Sequence, residues 1–261
     1  MDTVRYELDG HVAIITLDRP ESLNAFNAAM HADLDTAIRR FRADGDAWVA
    51  VVTGAGERAF SAGQDVRELA DLDAFMDTVP GFWEAVYTDR IDREMEQYKP
   101  MIAAVNGHCV GEGLCLAMAC DLRVCSDDAS FLMPEVALGI PVVVGAAQSA
   151  RLMGLGHALE LLLLGEPRDA EWAHRVGLVN KVVPKADVLK AALTWAHRLA
   201  SVGPLAVRCT REIAVRSLET DFSTAIRMGE AMRRVATGLS GDFREGVTAA
   251  AQGRTPHFTG R

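Results

Sequence analysis

The spacing of apolar positions divides the chain into a front part of mixed strands and helices and a tail of helices. Two strand-like runs, residues 4–9 and 11–17, flank an Asp-Gly pair, which is a strong hairpin signal. Continuous apolar runs predict three further strands, at residues 47–53, 100–105 and 122–125. Strand and helix alternate through this region, so parallel pairing and an α/β fold are expected.

Helical periodicity begins after Asn24, which is predicted to cap a helix over residues 25–43. A short apolar helix is predicted at residues 113–119, between two of the buried strands. From residue 145 onward helices dominate, and their predicted ranges are 146–153, 158–164, 169–176, 185–201, 205–217 and 221–237.

A further segment lies between the predicted strands at residues 47–53 and 100–105. Residues 66–93 are helical in composition but are broken by Pro80-Gly81, so this segment is expected to move over a pocket. The expected organisation is an α/β core over residues 1–195 and a helical region over residues 196–261. Nothing in the composition indicates a flexible linker between them.

Composition and charge narrow the function classes. With 261 residues, of which 49% are hydrophobic and 24% charged, the chain can bury a sizeable core. A net charge of −9 argues against a general nucleic-acid or membrane-surface binder. No apolar run is long enough for a membrane span and no signal region is visible, so a cytoplasmic location is expected. The five cysteines form no CxxC pair and no histidine completes a zinc set, so no metal is expected.

Two glycine-containing turns carry the candidate chemistry. Ala59-Phe-Ser-Ala-Gly-Gln-Asp65 ends in a turn, and Asn106-Gly-His-Cys-Val-Gly-Glu-Gly113 opens into an apolar helical run. A helix start leaves unpaired backbone N–H groups at the positive end of the helix dipole. The amides of Gln64 and Glu112 are therefore candidate donors to a developing oxyanion. Neither turn has the pattern of a phosphate loop or a dinucleotide fingerprint.

Carboxyl and thiol groups follow the glycine turns. Glu135 stands among apolar residues, where burial raises a carboxyl pKa into the range useful for proton transfer. For Glu112 two alternatives exist: its carboxylate faces solvent while only its N–H is used, which we favour, or it enters the site as a second acid–base group. Cys115, one helical turn further on, is expected to pack in the core rather than act as a nucleophile.

Taken together, these segments resemble the crotonase superfamily, the enoyl-CoA hydratase/isomerase fold, over nearly the whole chain. The resemblance begins at Thr16-Leu-Asp-Arg-Pro-Glu-Ser-Leu-Asn-Ala25 and includes both glycine turns, Pro134-Glu135 and Gly177-Leu-Val-Asn-Lys-Val-Val-Pro184. It implies a core that is a spiral of ββα units and a helical C-terminal region that supports a homotrimer or a dimer of trimers. The implied ligand is an acyl-CoA thioester, with no separate cofactor and no nucleic-acid or membrane partner.

The resemblance also implies roles for single residues. The thioester carbonyl would sit between the N–H groups of Gln64 and Glu112, and Glu135 would transfer protons. Arg254 and Phe258 would help a neighbouring subunit hold CoA. Adenine and phosphate contacts would fall on Arg58, Ala62, Asp65, Val66 and Arg67.

Departures from the family pattern keep the reaction open. Hydratases of the family carry two glutamates, and here the first falls on Cys115 whereas the second is Glu135. Glu112 replaces the middle glycine of the usual three, and Val142 to Val144 replace small residues of the pocket wall. Enoyl-CoA hydration is the first hypothesis and isomerisation of a 3-enoyl-CoA to a 2-enoyl-CoA, which a single glutamate can perform, is the second. A catalytically inactive acyl-CoA-binding protein is the third.

Overall fold

The structure is a computed structural model that describes residues 1–67 and 99–260, and within these ranges ten strands form two sheets. The first sheet has the strand order β1-β2-β3-β5-β7-β10, and the second has the order β4-β6-β8-β9. In chain order the strands are β1 Val4–Asp9, β2 Val12–Leu17, β3 Val49–Gly54, β4 Ala59–Ser61, β5 Met101–Val105, β6 His108–Val110, β7 Leu122–Ser126, β8 Ser130–Leu132, β9 Arg168–Asp169 and β10 Lys181–Val183.

Helices cover the larger sheet and make up most of the described part of the C-terminal region. The bounds of the helices that the structure describes lie within three residues of the predicted ones, and α9 was not predicted. They are α1 Ala28–Ala43, α2 Glu112–Ala119, α3 Val144–Met153, α4 Leu155–Leu164, α5 Ala170–Arg175, α6 Val188–Ala200, α7 Pro204–Arg216, α8 Phe222–Leu239 and α9 Gly241–Gln252. None of these helices is both long and apolar enough to cross a membrane.

Two predictions about the organisation of the chain stay predictions. The predicted helical segment at residues 66–93 falls almost entirely outside the described residues. The boundary proposed at residue 195 lies within α6 and stays a prediction.

The inner strands β2, β3, β5 and β7 of the larger sheet are largely buried on both faces, as continuous apolar runs predict. Its first pair, β1 and β2, is the predicted antiparallel hairpin, and the strands that follow pair in parallel. Along β3 the side chains alternate between two cores: Ala50 and Val52 face the core that includes α1, and Val49 and Val51 face the core that includes α6. Burial on both faces explains why β3 reads as an unbroken apolar run.

The smaller sheet decides where the candidate chemistry lies. Strands β4, β6 and β8 pair in parallel and each has three residues, which is too short for a periodicity signal. Because parallel strands end at the same edge of a sheet, the segments that follow these strands meet there. Those segments contain Gln64, Glu112 and Glu135.

The predicted capping role of Asn24 is wrong. Asn27 caps α1, because its side chain accepts a hydrogen bond from the amide of Met30. Asn24 is fully buried with a φ of 55° and donates to the carbonyls of Ala55 at 3.0 Å and Ala59 at 2.9 Å. Asparagine tolerates this left-handed conformation, so it crosslinks the turn before α1 to the connection between β3 and β4.

A buried arginine fixes the far end of α2. Arg123 is 3% exposed, and its guanidinium donates to the carbonyls of Ala117 and Cys120 at the C-terminal end of α2. It also donates to the carbonyl of Leu178 at 2.6 Å. These bonds satisfy helix-end carbonyls and join α2 to the segment that precedes β10.

We expect Arg123→Met to lower the free energy of unfolding by about 3 kcal/mol, because several buried carbonyls lose their donor at once. The matched control is Arg5→Met, which removes a half-exposed arginine paired with Asp18 at 2.8 Å. That change should cost less than about 0.5 kcal/mol. Denaturant unfolding of the three proteins measures both values, and equal losses for the two variants would contradict the anchoring role of Arg123.

Candidate active site

The turns after β4 and β6 are in direct contact. Gly63 has a φ of +83°, and a Cβ atom placed on it would lie 2.7 Å from the carbonyl oxygen of Val110 and 3.4 Å from the amide nitrogen of Glu112. A Cβ atom on Gly113 would lie 2.6 Å from the side chain of Ser61. Glycine is required at both positions so that the two backbones can approach this closely.

This contact brings the two predicted amide donors to one cavity. Gln64 and Glu112 both line it, and within the described residues no group accepts a hydrogen bond from either amide. The neighbouring backbone groups are used, since Phe26 donates to the carbonyl of Gly63 and accepts from the amide of Asp65, both at 2.8 Å. Glu112 is the first residue of α2, so its N–H lies at the positive end of that helix.

The prediction for Glu135 agrees with the geometry. It begins a short 3-10 helix directly after Pro134, and its Oε1 lies 3.0 Å from where a Cβ atom on Gly111 would be. Its Oε2 is buried and has no hydrogen-bond partner among the described residues. Burial raises the pKa of Glu135, and a hydrogen bond to its own backbone partly opposes that rise. An unpartnered, desolvated carboxyl oxygen is suited to exchange a proton with a bound ligand.

The favoured interpretation of the Glu112 side chain is wrong. Its side chain is 12% exposed and lines the cavity together with Glu135. A side chain in the first turn of a helix leans back over the preceding segment, which here carries it toward the turn at Gly63 rather than to solvent. Burial and then the charge of Glu135 raise the pKa of Glu112 to about 8.

Glu112 and Glu135 line one largely apolar cavity, so a negative charge on either carboxyl group disfavours a negative charge on the other. Ionising both would place like charges side by side in a medium of low dielectric constant. The pKa of about 8 places a proton on Glu112 at neutral pH. A neutral Glu112 side chain is also compatible with an oxyanion at its own amide.

Apolar side chains complete the cavity, as the sequence indicates for Val142 to Val144. The cavity has a volume of about 860 Å³, including its open mouth, and its wall also contains Leu138 and Ile140. Cys115 lines the cavity as well, and burial raises the pKa of its thiol far above the usual value. A protonated, buried thiol is not a nucleophile, which agrees with the packing role expected for it.

The residues around Gln64 form an ion-pair cluster. The carboxylate of Asp65 is buried and pairs with Arg67 at 2.9 Å and with Arg19 at 3.2 Å. Hydrogen bonds from Arg67, and then from Arg19, lower the pKa of Asp65 to about 2 even though burial opposes them. Asp65 therefore holds the turn that presents Gln64, and Ala62 and Val66 line the cavity beside it.

Arg58, which was also predicted to contact the ligand, lines a second, smaller cavity of about 440 Å³. Its guanidinium donates to the carbonyl of Pro20 at 2.9 Å. Its position beside the turn that contains Gly56 fits the predicted contact with an anionic part of the ligand, and that contact stays a prediction.

Arg254 and Phe258 do not reach the cavity of their own chain. The guanidinium of Arg254 pairs with both carboxylate oxygens of Glu245, at 2.6 and 2.8 Å. Phe258 packs against the core that includes α6. Their predicted role toward a neighbouring subunit, and the predicted trimer, stay predictions.

One residue of the site was not identified from the sequence. The imidazole Nε2 of His31, in α1, lies 3.4 Å from Glu112 Oε2 and 3.4 Å from Gln64 Oε1. No linear motif connects residue 31 with residues 64 and 112, because the contact forms only through the tertiary packing of α1.

Comparisons with known proteins agree with this architecture. A family model described as enoyl-CoA hydratase/isomerase matches residues 7–261. A short-chain-enoyl-CoA hydratase of Clostridium acetobutylicum is 36% identical over 228 residues, which are 87% of this chain and 86% of that protein. A probable enoyl-CoA hydratase of Rhizobium meliloti is 38% identical and covers 100% of this chain and 99% of its own.

Solved structures show the same fold. The crystal structure of an enoyl-CoA hydratase from Bacillus anthracis aligns with a TM-score of 0.90 at 30% identity, covering 99% of this chain and 100% of that one. An enoyl-CoA hydratase from Mycobacterium tuberculosis aligns with a TM-score of 0.89 at 31% identity, covering both chains completely. On fold, on motifs and on sequence identity, this chain belongs to the enoyl-CoA hydratase/isomerase family.

Proposed function

We propose that this protein catalyses the addition of water to a 2-enoyl-CoA thioester, giving a 3-hydroxyacyl-CoA. The observation that carries the proposal is the meeting of two carboxyl groups and two amides, which have no acceptor among the described residues, in one apolar cavity. The amides suit a carbonyl oxygen that gains negative charge, and the carboxyl groups suit the two proton transfers of a hydration. Relatives named short-chain-enoyl-CoA hydratase and crotonyl-CoA hydratase support the same reaction class.

The amides of Gln64 and Glu112 act on the thioester oxygen. When water adds at C3, the electron pair of the double bond moves through C2 onto this oxygen and forms an enolate. Two N–H groups already aimed at that position stabilise the enolate without reorganising, and each such donor is typically worth about 3 kcal/mol.

The carboxyl groups divide the proton transfers between them. Ionised Glu135 accepts one proton of the water as its oxygen bonds to C3. Protonated Glu112 donates its proton to C2, and the electron pair on the thioester oxygen returns to restore the carbonyl. The pair carries one negative charge before and after the reaction, so the cavity never holds two, and a proton passes from Glu135 to solvent and from solvent to Glu112 before the next turnover.

Two carboxyl groups favour hydration over isomerisation. The isomerase hypothesis depends on Glu135 being the single acid–base group, and the buried position of Glu112 removes that premise. The apolar wall formed by Leu138, Ile140 and Val142 to Val144 suits an acyl chain without charge beyond C3.

The same proposal assigns the CoA part of the substrate. Arg58 and Arg67 offer guanidinium groups to its phosphates, a role suited to their forked donors. Ala62 and Val66 contact the ligand at the cavity mouth, and Asp65 contributes by holding Arg67.

We expect Glu135→Gln and Glu112→Gln each to lower kcat for hydration of crotonyl-CoA by about 10²- to 10⁴-fold, because each removes one proton transfer. Glu166→Gln, a change of an exposed carboxylate outside the cavity, is the control and should leave kcat unchanged.

Each protein is also assayed with a 3-enoyl-CoA. Unchanged hydration in Glu135→Gln would remove that residue from the mechanism. A wild type that isomerises but does not hydrate would replace hydratase with isomerase, and tight binding without turnover would indicate a binding protein.

The raised pKa of Glu112 also predicts how the stability of the folded protein depends on pH. The pKa of Glu112 is about 8 in the folded protein and near 4.5 when unfolded, so between these values the folded state binds a proton that the unfolded state releases. Stability should therefore fall as pH rises through this window. Glu112→Gln removes this dependence, so its Tm should match that of the wild type near pH 4.5 and exceed it increasingly toward pH 8. Parallel Tm curves for the two proteins would contradict a protonated Glu112.

We expect Gly63→Ala to lower kcat/KM by about 100-fold, because the Cβ atom forces apart the two turns and misplaces the amide donors. Gly253→Ala is the matched control, since Gly253 also has a positive φ, of +67°, but nothing lies within 4 Å of the added atom. Any loss common to both variants reports backbone strain alone. Full activity in Gly63→Ala would show that the close approach of the turns is not needed.

A further inference from the structure

His31 is built into the site from a different part of the chain. It lies near the start of α1, its side chain is 11% exposed, and its ring packs against that of Phe26 with the centroids 5.3 Å apart. A buried, packed ring has a restricted orientation, so the direction in which its nitrogen points is set by the fold.

The imidazole bridges the two residues whose amides form the oxyanion site. Its Nε2 lies 3.4 Å from a carboxyl oxygen of Glu112 and 3.4 Å from the side-chain carbonyl oxygen of Gln64. The Gln64 oxygen accepts, and the Glu112 oxygen accepts once its carboxyl group is ionised, so the tautomer with its proton on Nε2 donates to both. Distances of this length are common in catalytic sites without substrate and shorten when the substrate binds.

Among the groups that face Glu112, the His31 imidazole differs in its effect on a negative charge there. From the described residues, the titratable groups that face Glu112 are Glu135 after β8, Cys115 on α2 and His31 on α1. Glu135 opposes a negative charge on Glu112, and the protonated thiol of Cys115 is neutral. His31 is the group among these three that favours it.

We propose that His31 is a positioning residue that holds the Glu112 carboxyl group in the cavity and stabilises the negative charge it gains as its proton moves to C2. The inference rests on the proposed hydration. In this arrangement Glu112 is the general acid, and His31 orients the carboxylate that forms when Glu112 loses its proton. Because the same nitrogen contacts Gln64, it also connects Glu112 to the turn after β4 that carries the other amide donor.

The proposal predicts a pH signature that a structural role does not produce. Without the donor, the ionised form of Glu112 is less stable, so its pKa rises further above 8. The alkaline limb of the kcat/KM profile reports the loss of the proton on Glu112 and should move up by about one pH unit in His31→Leu. In the same variant kcat should fall by about 10- to 100-fold, with a smaller change in KM.

Two further variants complete the experiment. His31→Gln keeps an N–H donor in a side chain of similar reach, so it should recover part of kcat relative to His31→Leu. His157→Leu is the matched control, because His157 also pairs with a glutamate, Glu160 at 3.6 Å, but on the surface of α4. It should leave both kcat and the pH profile unchanged.

A measurement without turnover separates this inference from the proposed function. The NMR signal of the His31 ring should show an inflection near pH 8 that follows the ionisation of Glu112 and is lost in Glu112→Gln. If the wild type does not hydrate enoyl-CoA but the inflection is present, the proposed function fails and the pairing stands. If the wild type is active, and His31→Leu has the same kcat and alkaline limb, the inference fails and the proposed function stands.

Discussion

The close parallel alignment of three short strands is the constraint on which the site depends. Strands β4, β6 and β8 have only three residues each, yet their parallel pairing places the ends of all three at one sheet edge. The two glycines Gly63 and Gly113 then allow backbones to approach to distances that any side chain would prevent. The unpaired amides, and with them the candidate oxyanion site, follow from this approach.

Around this edge, charged side chains hold the donor turns and α2 in place. The Asp65 carboxylate is satisfied by Arg19 and Arg67, and this fixes the turn that presents Gln64. At the other end of α2, Arg123 satisfies helix-end carbonyls and fixes the helix whose first residue is Glu112. The turn with Gln64 is therefore held by an ion-pair cluster, and the turn with Glu112 is held through the helix that follows it.

Inside the cavity the electrostatic problem is different, because two carboxyl groups face an apolar wall. A negative charge on Glu112 would oppose an oxyanion held at its own amide. Its raised pKa, about 8, resolves this conflict by keeping the side chain neutral until the enolate is discharged. The contact with His31 then provides a partner for the charge that appears on Glu112 in that same step.

The sequence by itself determined the class of fold, the order of the longer elements, the two donor turns and Glu135. These features depend on local patterns: apolar periodicity, glycine at turns and a carboxylate within an apolar run. Only the tertiary structure decided the start of α1, since Asn24 and Asn27 are equally good caps locally and a contact with the β3–β4 connection separates them. It also decided that Glu112 enters the cavity and that His31 contacts Glu112, because these contacts depend on the packing of α1 against the larger sheet and of α2 against strands too short to be seen as a pattern.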